Sequence, residues 1–377
     1  ARSLVAMKDI SPDQLKGLAA VAGVQLQEDD VEPLTLQFNA LQEGLRVLDE
    51  WNLHGIAPLP VLPYPTGSAP KPALHQEFAT QSAVPLAYKP ITELSHLLGT
   101  QQVSSAELTE LYLDRICRFD ADLNSYITVT ADLARAQAKA ADSAMAAGAA
   151  IGPLAGVPLA HKDEFLTKGV LTTCGSNVLR DFVPNFDATV IERLHNQGAV
   201  MLGTLNMTEW ASPLTWNFPY GQPRNPWNLE MDAGGSSTGS GIATAAALCA
   251  GSIGEDTGGS IRRPASNNSC VGLRPSLGRV STFGMFASSW YQDTAGPVAR
   301  SVGDCALLMN AIAGYDYRDP MSSRLPVPDY TGALTTDLTG MHLAVVKEAI
   351  DAPHLDPEIK KLTNDALDVL RSLGANI

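Results

Sequence analysis

Six prolines between Ile56 and Leu74 constrain the fold of this 377-residue chain more than any other feature. They stand at positions 58, 60, 63, 65, 70 and 72. Proline lacks a backbone N–H and fixes φ, so this stretch excludes both a helix interior and a central strand. It predicts an extended tether over residues 56–89, which separates a helical module at 1–55 from a larger domain at 90–377.

The module at 1–55 has the pattern of two helices. Ser11 followed by Pro12 is typical of an N-cap with proline at the first helical position. A second helix is predicted by apolar residues at three- and four-residue spacing, namely Leu34, Phe38, Leu41, Leu45, Leu48 and Trp51.

Helix and strand patterns alternate beyond Pro90, which favours an α/β fold. The predicted helices cover 104–119, 133–148, the first part of 188–206, 241–251 and 357–373. The predicted strands cover 157–165 and the second part of 188–206. The last residues, GANI, are typical of the entry to a further strand.

Composition and charge narrow the function classes. Hydrophobic residues make up 45% of the chain, enough for a sizeable core. The net charge of −14 repels phosphate backbones and argues against nucleic-acid binding. The five cysteines are scattered, which disfavours disulfides and zinc and suits reduced thiols in a cytoplasm. No apolar run reaches the length of a membrane span, and no metal or dinucleotide motif occurs.

The stretch DAGGSSTGSG, residues 232–241, precedes an apolar helix and is therefore predicted to be a loop at a helix N-terminus. Such a loop can hold a phosphate, although no P-loop lysine follows it. It also contains a G-x-S-x-G pattern with Ser237 in the nucleophile position. That interpretation requires a downstream histidine, and His342 and His354 are the candidates.

A second loop, GEDTGGSIRRPA at 254–265, suggests how a serine is activated. Backbone N–H groups around its glycines converge in the manner of an oxyanion hole. One helix and one strand separate the two loops, which brings their serines to the same end of a sheet. Lys162 follows the apolar run GVPLA, and burial favours a neutral lysine that acts as a base. The alternative is an exposed Lys162 paired to Asp163 or Glu164, with His161 as a surface neighbour.

These segments together resemble the amidase signature family. The resemblance rests on PLAGVPLAHKDEF, GQPRNPWN, GGSSTGSG, GEDTGGSIRRPA and DTAGPVARSVGD in this order, and it extends from about Pro90 to the end. It implies a mixed central sheet with helices on both faces, of which the C-terminal part is expected to be missing here. The first residues, from ISPDQLKG onward, resemble the small C subunit of tRNA-dependent amidotransferase, fused to the amidase part.

The resemblance also implies the site residues. Ser260 would be the nucleophile, Ser236 the bridging serine after a cis peptide bond, and Lys162 the base, with Ser237 in support. The N–H groups of the oxyanion hole would come from Thr257, Gly258, Gly259 and Ser260. Thr238 stands where the family usually has glycine, which puts the local loop geometry in question.

The implied reaction is hydrolysis of a carboxylic amide through a seryl acyl-enzyme, without metal or cofactor. Arg263 is a candidate to bind a substrate carboxylate, so a small anionic amide is an expected substrate. Two alternatives stay open at this point. The chain is an amidotransferase-like subunit that acts with a partner, or it is an inactive fragment or scaffold. A homodimer or a second chain that completes the fold is also compatible with the sequence.

Overall fold

The computed structural model describes residues 9–21, 26–49, 84–149, 152–212, 217–353 and 355–377. The chain divides into two compact units, residues 1–59 and 60–377. Residues 56–83 of the predicted tether lie outside the described residues. The domain boundaries inferred from the sequence therefore stay a prediction.

The first unit contains two packed helices, α1 (Pro12–Val21) and α2 (Glu28–Asp49). The Ser11 hydroxyl accepts a hydrogen bond from the Gln14 N–H at 3.3 Å, which confirms the predicted cap with Pro12 at the first helical position. The Asn39 side chain ties α2 to the start of α1, because its amide bonds both the N–H and the C=O of Ile10. The side chains of the second predicted helix from Leu41 onward lie outside the described ones.

A six-stranded sheet forms the centre of the second unit, in the order β1-β3-β2-β4-β6-β5. The three strands β3, β2 and β4 run parallel, and the other pairs are antiparallel. The strands are β1 (Tyr126–Val129), β2 (Pro158–Lys162), β3 (Val200–Leu205), β4 (Gly251–Asp256), β5 (Val271–Gly272) and β6 (Thr294–Ala299).

Helices cover both faces of this sheet. Every residue of β2, β3, β4 and β6 is buried, and successive residues of a strand point to opposite faces. The helices are α3 (Ile91–Gly99), α4 (Ser105–Leu123), α5 (Ala131–Ala146), α6 (Thr189–Asn196), α7 (Thr238–Ala245), α8 (Arg262–Asn267), α9 (Val302–Ile312), α10 (Lys347–Ile350) and α11 (Pro357–Ser372). The mixed α/β architecture expected from the resemblance is confirmed.

The helices and strands predicted for the second unit lie at or near their predicted positions, whereas α3, α8, α9, α10, β1, β5 and β6 had not been predicted. Helix α4 begins with a full capping box between Ser104 and Glu107, and β2 lies within the predicted 157–165 strand. The helix predicted over 241–251 is shifted, because α7 begins at Thr238 and ends at Ala245. The chain turns at Ala247, with a φ of 52°, to enter β4.

The C-terminal region is less embedded than the sheet. Helix α11 follows its prediction, and the Asp356 side chain caps it, but none of its residues is buried. The strand expected at GANI is limited to one parallel bridge between His342 and Asn376. All five cysteines are unpaired, and none of the helices in the described ranges is long and apolar enough to cross a bilayer.

Candidate active site

The candidate base lies at the carboxyl end of the central parallel strands. Lys162 is the last residue of β2, and its side chain is completely buried. Its Nζ donates a hydrogen bond to Ser236 Oγ at 2.8 Å and to Glu255 Oε2 at 2.8 Å. Glu164 Oε1 lies 3.2 Å from the same nitrogen. The exposed lysine considered from the sequence is therefore wrong, although the pairing with Glu164 is real.

Burial extends to both neighbours of Lys162. His161 is 3% exposed, and its Nε2 lies 2.9 Å from the Thr167 hydroxyl, so its interpretation as a surface neighbour is wrong. Burial, with a smaller contribution from His195, lowers the pKa of His161 to about 3, and the ring is neutral. Asp163 points away from Lys162 and accepts hydrogen bonds from the Thr173 N–H and hydroxyl.

The charge state of Lys162 differs from the expectation based on burial alone. Burial by itself would lower the lysine pKa, but the carboxylates of Glu164 and Glu255 outweigh it and hold the pKa above its ordinary value. The sequence argument for a neutral lysine counted desolvation alone: it considered Glu164 only as the partner of an exposed lysine, and it missed Glu255. In this structure the resting lysine is protonated, so a neutral amine requires that a nearby group take its proton.

The first Gly/Ser loop holds its serines by backbone contacts. The Gly235–Ser236 peptide bond is cis, as the resemblance implied. The Ser237 hydroxyl donates to the Glu255 C=O at 3.0 Å and accepts from the Glu255 N–H at 3.2 Å. The Ser237 N–H donates to the Ser260 C=O at 3.1 Å, so Ser237 joins the two loops.

These contacts remove the other interpretations of the loop. The Ser237 hydroxyl is engaged by Glu255 rather than by a histidine, His342 lies at the bridge with Asn376, and His354 is outside the described residues. The N–H groups of Ser237 and Gly239 already donate to protein carbonyls, which disfavours a phosphate cradle. Thr238 begins α7 without a positive φ, so the backbone accommodates its side chain.

Ser260 lies in the loop between β4 and α8, at 6% exposure. The backbone bond from Ser237 brings this loop against the Ser236 loop. The hydroxyls of Ser236 and Ser260 are not hydrogen-bonded to each other in the described structure. Catalytic hydrogen bonds of this kind often tighten only when substrate binds.

Asp256 shapes the turn that carries Ser260. Its carboxylate accepts the N–H groups of Gly259 at 2.7 Å and Ile261 at 3.1 Å. Because the Gly259 N–H is committed to Asp256, the expectation that it also serves the oxyanion hole is wrong for this structure. The N–H groups of Thr257, Gly258 and Ser260 donate to no acceptor among the described residues, which leaves three donors for an oxyanion.

The two arginines after Ser260 have different environments. Arg262 forms a bidentate pair with Asp256, with Nε and Nη2 each 3.1 Å from a carboxylate oxygen. Arg274 approaches the same carboxylate at 3.2 Å. Arg263 is exposed and has no ion pair within the described ranges, and a Cβ built on Gly259 would lie 3.5 Å from its Nε. The Arg263 side chain thus lies beside the backbone of Gly259, and its guanidinium forms no ion pair with the described residues.

Two acidic residues at the site, Glu255 and Asp293, were not singled out from the sequence, whereas Glu164 was. Glu255 and Glu164 contact Lys162, and Asp293 lies behind Glu255 with Thr257 between them. Asp293 directly precedes β6, far along the chain from Glu255. Strand alternation at the end of β4 could have indicated that Glu255 and Asp256 face opposite sides. Among the described residues, no group of three or more metal-ligating side chains converges on one point.

Known proteins are similar to this chain in sequence and in architecture. A family model described as Amidase matches residues 107–377. The A subunit of the glutamyl-tRNA(Gln) amidotransferase of Geobacter metallireducens is 47% identical over 286 residues, which cover 76% of this chain and 59% of that protein. The chain therefore spans about three fifths of that relative's length.

Two solved structures are also similar to this chain in fold and in sequence. The peptide amidase of Stenotrophomonas maltophilia has a TM-score of 0.70 and 35% identity, over 78% of this chain and 62% of that one. The A subunit of the glutamyl-tRNA(Gln) amidotransferase of Thermotoga maritima has a TM-score of 0.66 and 32% identity, over 78% and 62% respectively.

Proposed function

This chain belongs to the amidase family, and we propose that it hydrolyses a carboxylic amide through an acyl-enzyme on Ser260. The observation that carries the proposal is the 2.8 Å hydrogen bond from buried Lys162 Nζ to Ser236 Oγ, on a loop bonded to the loop of Ser260. A serine, a bridging serine and a lysine amine supply a nucleophile and a base.

The proposed steps follow from this geometry. Lys162, in its neutral form, takes the Ser236 proton while Ser236 takes the Ser260 proton, and the Ser260 oxygen bonds to the amide carbon. The N–H groups of Thr257, Gly258 and Ser260 stabilise the negative oxygen that develops. The C–N bond then breaks, and the leaving nitrogen receives the proton back through Ser236. Water repeats the sequence and releases the carboxylic acid.

The experiment that tests this proposal is a screen of simple amides for release of ammonia or amine. We expect hydrolysis by the whole chain and its loss in Ser260→Ala and Lys162→Ala. Hydrolysis that persists in Ser260→Ala would contradict the proposal. Turnover of no amide, with Ser260 also inert to serine-directed probes, would instead favour an inactive scaffold.

We propose further that Arg263 selects amides that carry a carboxylate. Its guanidinium is exposed beside the oxyanion loop and unpaired among the described residues, whereas the neighbouring Arg262 is held by Asp256. A guanidinium fork suits a carboxylate. We expect Arg263→Ala to lower kcat/KM on anionic amides by about 10-fold or more and to leave neutral amides nearly unchanged. Equal losses on both substrate classes would refute this specificity.

A second function is favoured by the identity to the amidotransferase of Geobacter metallireducens, which is higher than the identity to the peptide amidase. In that case the chain acts with a partner, and ammonia from the amide passes to a second site. The N-terminal likeness to a C subunit, still a prediction, fits the same function. Ammonia release by the purified chain alone supports the hydrolase, and release only with a partner protein supports the amidotransferase. A cytoplasmic location suits either function.

A further inference from the structure

Lys162 Nζ has no direct contact with solvent, so its proton leaves only through a neighbour. The side chain is 0% exposed, and its described polar contacts are Ser236 Oγ, Glu255 Oε2 and Glu164 Oε1. Ser236 leads toward the nucleophile. Glu255 leads in the other direction, because its second oxygen, Oε1, accepts from the Thr257 hydroxyl at 2.6 Å.

The contacts of the Thr257 hydroxyl indicate that Glu255 or Asp293 carries a proton. Its Oγ1 lies 2.6 Å from Glu255 Oε1 and 2.7 Å from Asp293 Oδ1. A hydroxyl carries one hydrogen and donates one hydrogen bond at a time. The other short contact therefore requires a hydrogen on one of the two carboxyl groups. Asp293 Oδ2 is already an acceptor for the N–H groups of Ser288 and Ser289, so the free proton position on Asp293 is Oδ1.

We propose that Glu255 acts as the positioning residue that receives the Lys162 proton and so makes the lysine a base. This inference rests on the proposed function. The proton moves from Nζ to Glu255 Oε2 across the 2.8 Å contact, and the ion pair becomes a neutral amine and a carboxylic acid. The Thr257 hydroxyl contacts the far oxygen of Glu255 and also Asp293 Oδ1, and it can donate to or accept from Glu255, so it stabilises either form.

The titratable groups around this pair come from several segments. Asp163 and Glu164 follow Lys162 directly, Cys174 lies in the next loop, and Asp293 precedes β6. Burial raises the pKa of Glu164 well above its ordinary value, despite the lysine charge, and burial likewise raises the pKa of Asp293. A raised pKa favours the protonated form of both groups, which makes proton sharing within the cluster easier than among solvent-exposed carboxylates.

The catalytic cycle stays balanced with this transfer. Glu255 holds the proton while the amine accepts the Ser236 proton and returns it to the leaving nitrogen. After deacylation the proton returns from Glu255 to Lys162, so the enzyme regains its resting state. No oxidant, reductant or external base enters the cycle.

The pH dependence of kcat/KM in Glu255→Gln tests the inference, because two accounts predict opposite shifts. If Glu255 receives the proton, the wild-type acid limb reports binding of a second proton to the Lys162–Glu255 pair. A glutamine side chain at this position cannot take a proton, so the limb then follows full deprotonation of Lys162 and moves to higher pH by about one unit or more. If Glu255 merely raises the lysine pKa, its removal moves the limb to lower pH.

Glu164→Gln is the matched control, since it removes the other carboxylate near the same nitrogen. We expect no upward shift of the acid limb in this variant. A downward shift or an unmoved limb in Glu255→Gln, with folding checked by circular dichroism, would overturn the inference. If the unmodified chain hydrolyses no amide, the proposed function itself fails, which is a distinct outcome.

Discussion

Two consecutive acidic residues at the end of β4 have opposite environments. Glu255 faces the side of Lys162, Glu164 and Asp293, which we call the lysine face. Asp256 faces the side of Arg262 and Arg274, which we call the arginine face. Alternation along a strand sends neighbouring side chains to opposite sides, so one residue separates the two faces.

The difference is one of charge balance. On the arginine face, one carboxylate accepts hydrogen bonds from the Arg262 guanidinium and from backbone N–H groups of the turn, and it forms an ion pair with Arg274. Although burial would raise the pKa of Asp256, these donors hold it below its ordinary value. On the lysine face, two carboxylates share one amine. The contacts of Asp256 hold the backbone of the turn that carries Ser260. The contacts of Lys162 with Glu164 and Glu255 instead allow a proton to move between the amine and a carboxylate.

The largest expected effect lies on the lysine face. Lys162→Met preserves length and removes the amine, so we expect kcat/KM on an amide to fall by about 10³–10⁴-fold. Lys168→Met changes an exposed lysine six residues later and is the matched control, with activity unchanged. A loss of less than about tenfold in Lys162→Met would show that the lysine is not the base.

The next effect lies on the arginine face and is one of stability. Asp256→Asn removes the charge that holds Arg262, Arg274 and the turn, and we expect the free energy of unfolding to fall by about 2–4 kcal/mol. Because the folded pKa is lowered, the wild-type contribution is present at neutral pH and is lost as pH falls through that pKa. Urea denaturation at several pH values checks both points. A variant as stable as the wild type at neutral pH would contradict them.

The contact between the Ser237 hydroxyl and the β4 backbone gives a smaller effect. Ser237→Ala removes the hydroxyl that bonds the Glu255 N–H and C=O, and it leaves a buried N–H without that acceptor. We expect a loss of about 1–2 kcal/mol in stability and a modest loss of activity. Urea denaturation and amide kinetics measure the two. A complete loss of activity in a folded Ser237→Ala protein would indicate that Ser237 takes part in the chemistry.

The smallest effect concerns Glu164, whose contribution to stability changes with pH in the opposite direction to that of Asp256. Glu164 has a raised folded pKa, so it costs stability as pH rises from its unfolded pKa toward its folded one. Glu164→Gln removes that cost, and we expect the variant to gain about 1 kcal/mol or more over the wild type as pH increases. Thermal unfolding from acid to alkaline pH measures the gain. A gain confined to acid pH would contradict the assignment.

Local sequence signals located the longer helices and the strands β2 and β3 well, but they did not predict the order of the strands in the sheet. Ser104 and Glu107 define a cap within four residues, and Pro12 marks a helix start. The start of α7 was placed three residues late, at Gly241, because Thr238, Gly239 and Ser240 were taken as loop residues, and Gly239 and Gly241 are poor helix formers. In the fold they meet neighbouring backbone, and a Cβ on Gly239 would lie 2.2 Å from the Ser125 C=O.

Some residues of the site were predicted and others were not, because local sequence does not show which distant segments meet in the fold. Lys162, Ser236 and Ser260 followed from the family resemblance, and the structure brings Lys162 and Ser236 into contact. The carboxylates of Glu255 and Asp293 did not follow, because these two residues meet through strand pairing between distant segments. The burial of His161 was also missed, since local charge suggested a surface position.

Covalent labelling with a fluorophosphonate tests most directly the central claim that Ser260 is a nucleophile activated through Ser236 by Lys162. We predict one adduct per chain by intact mass, located on the Ser260 peptide, absent in Ser260→Ala and strongly slowed in Lys162→Met. An adduct on Ser237, or labelling that persists unchanged in Ser260→Ala, would contradict the account.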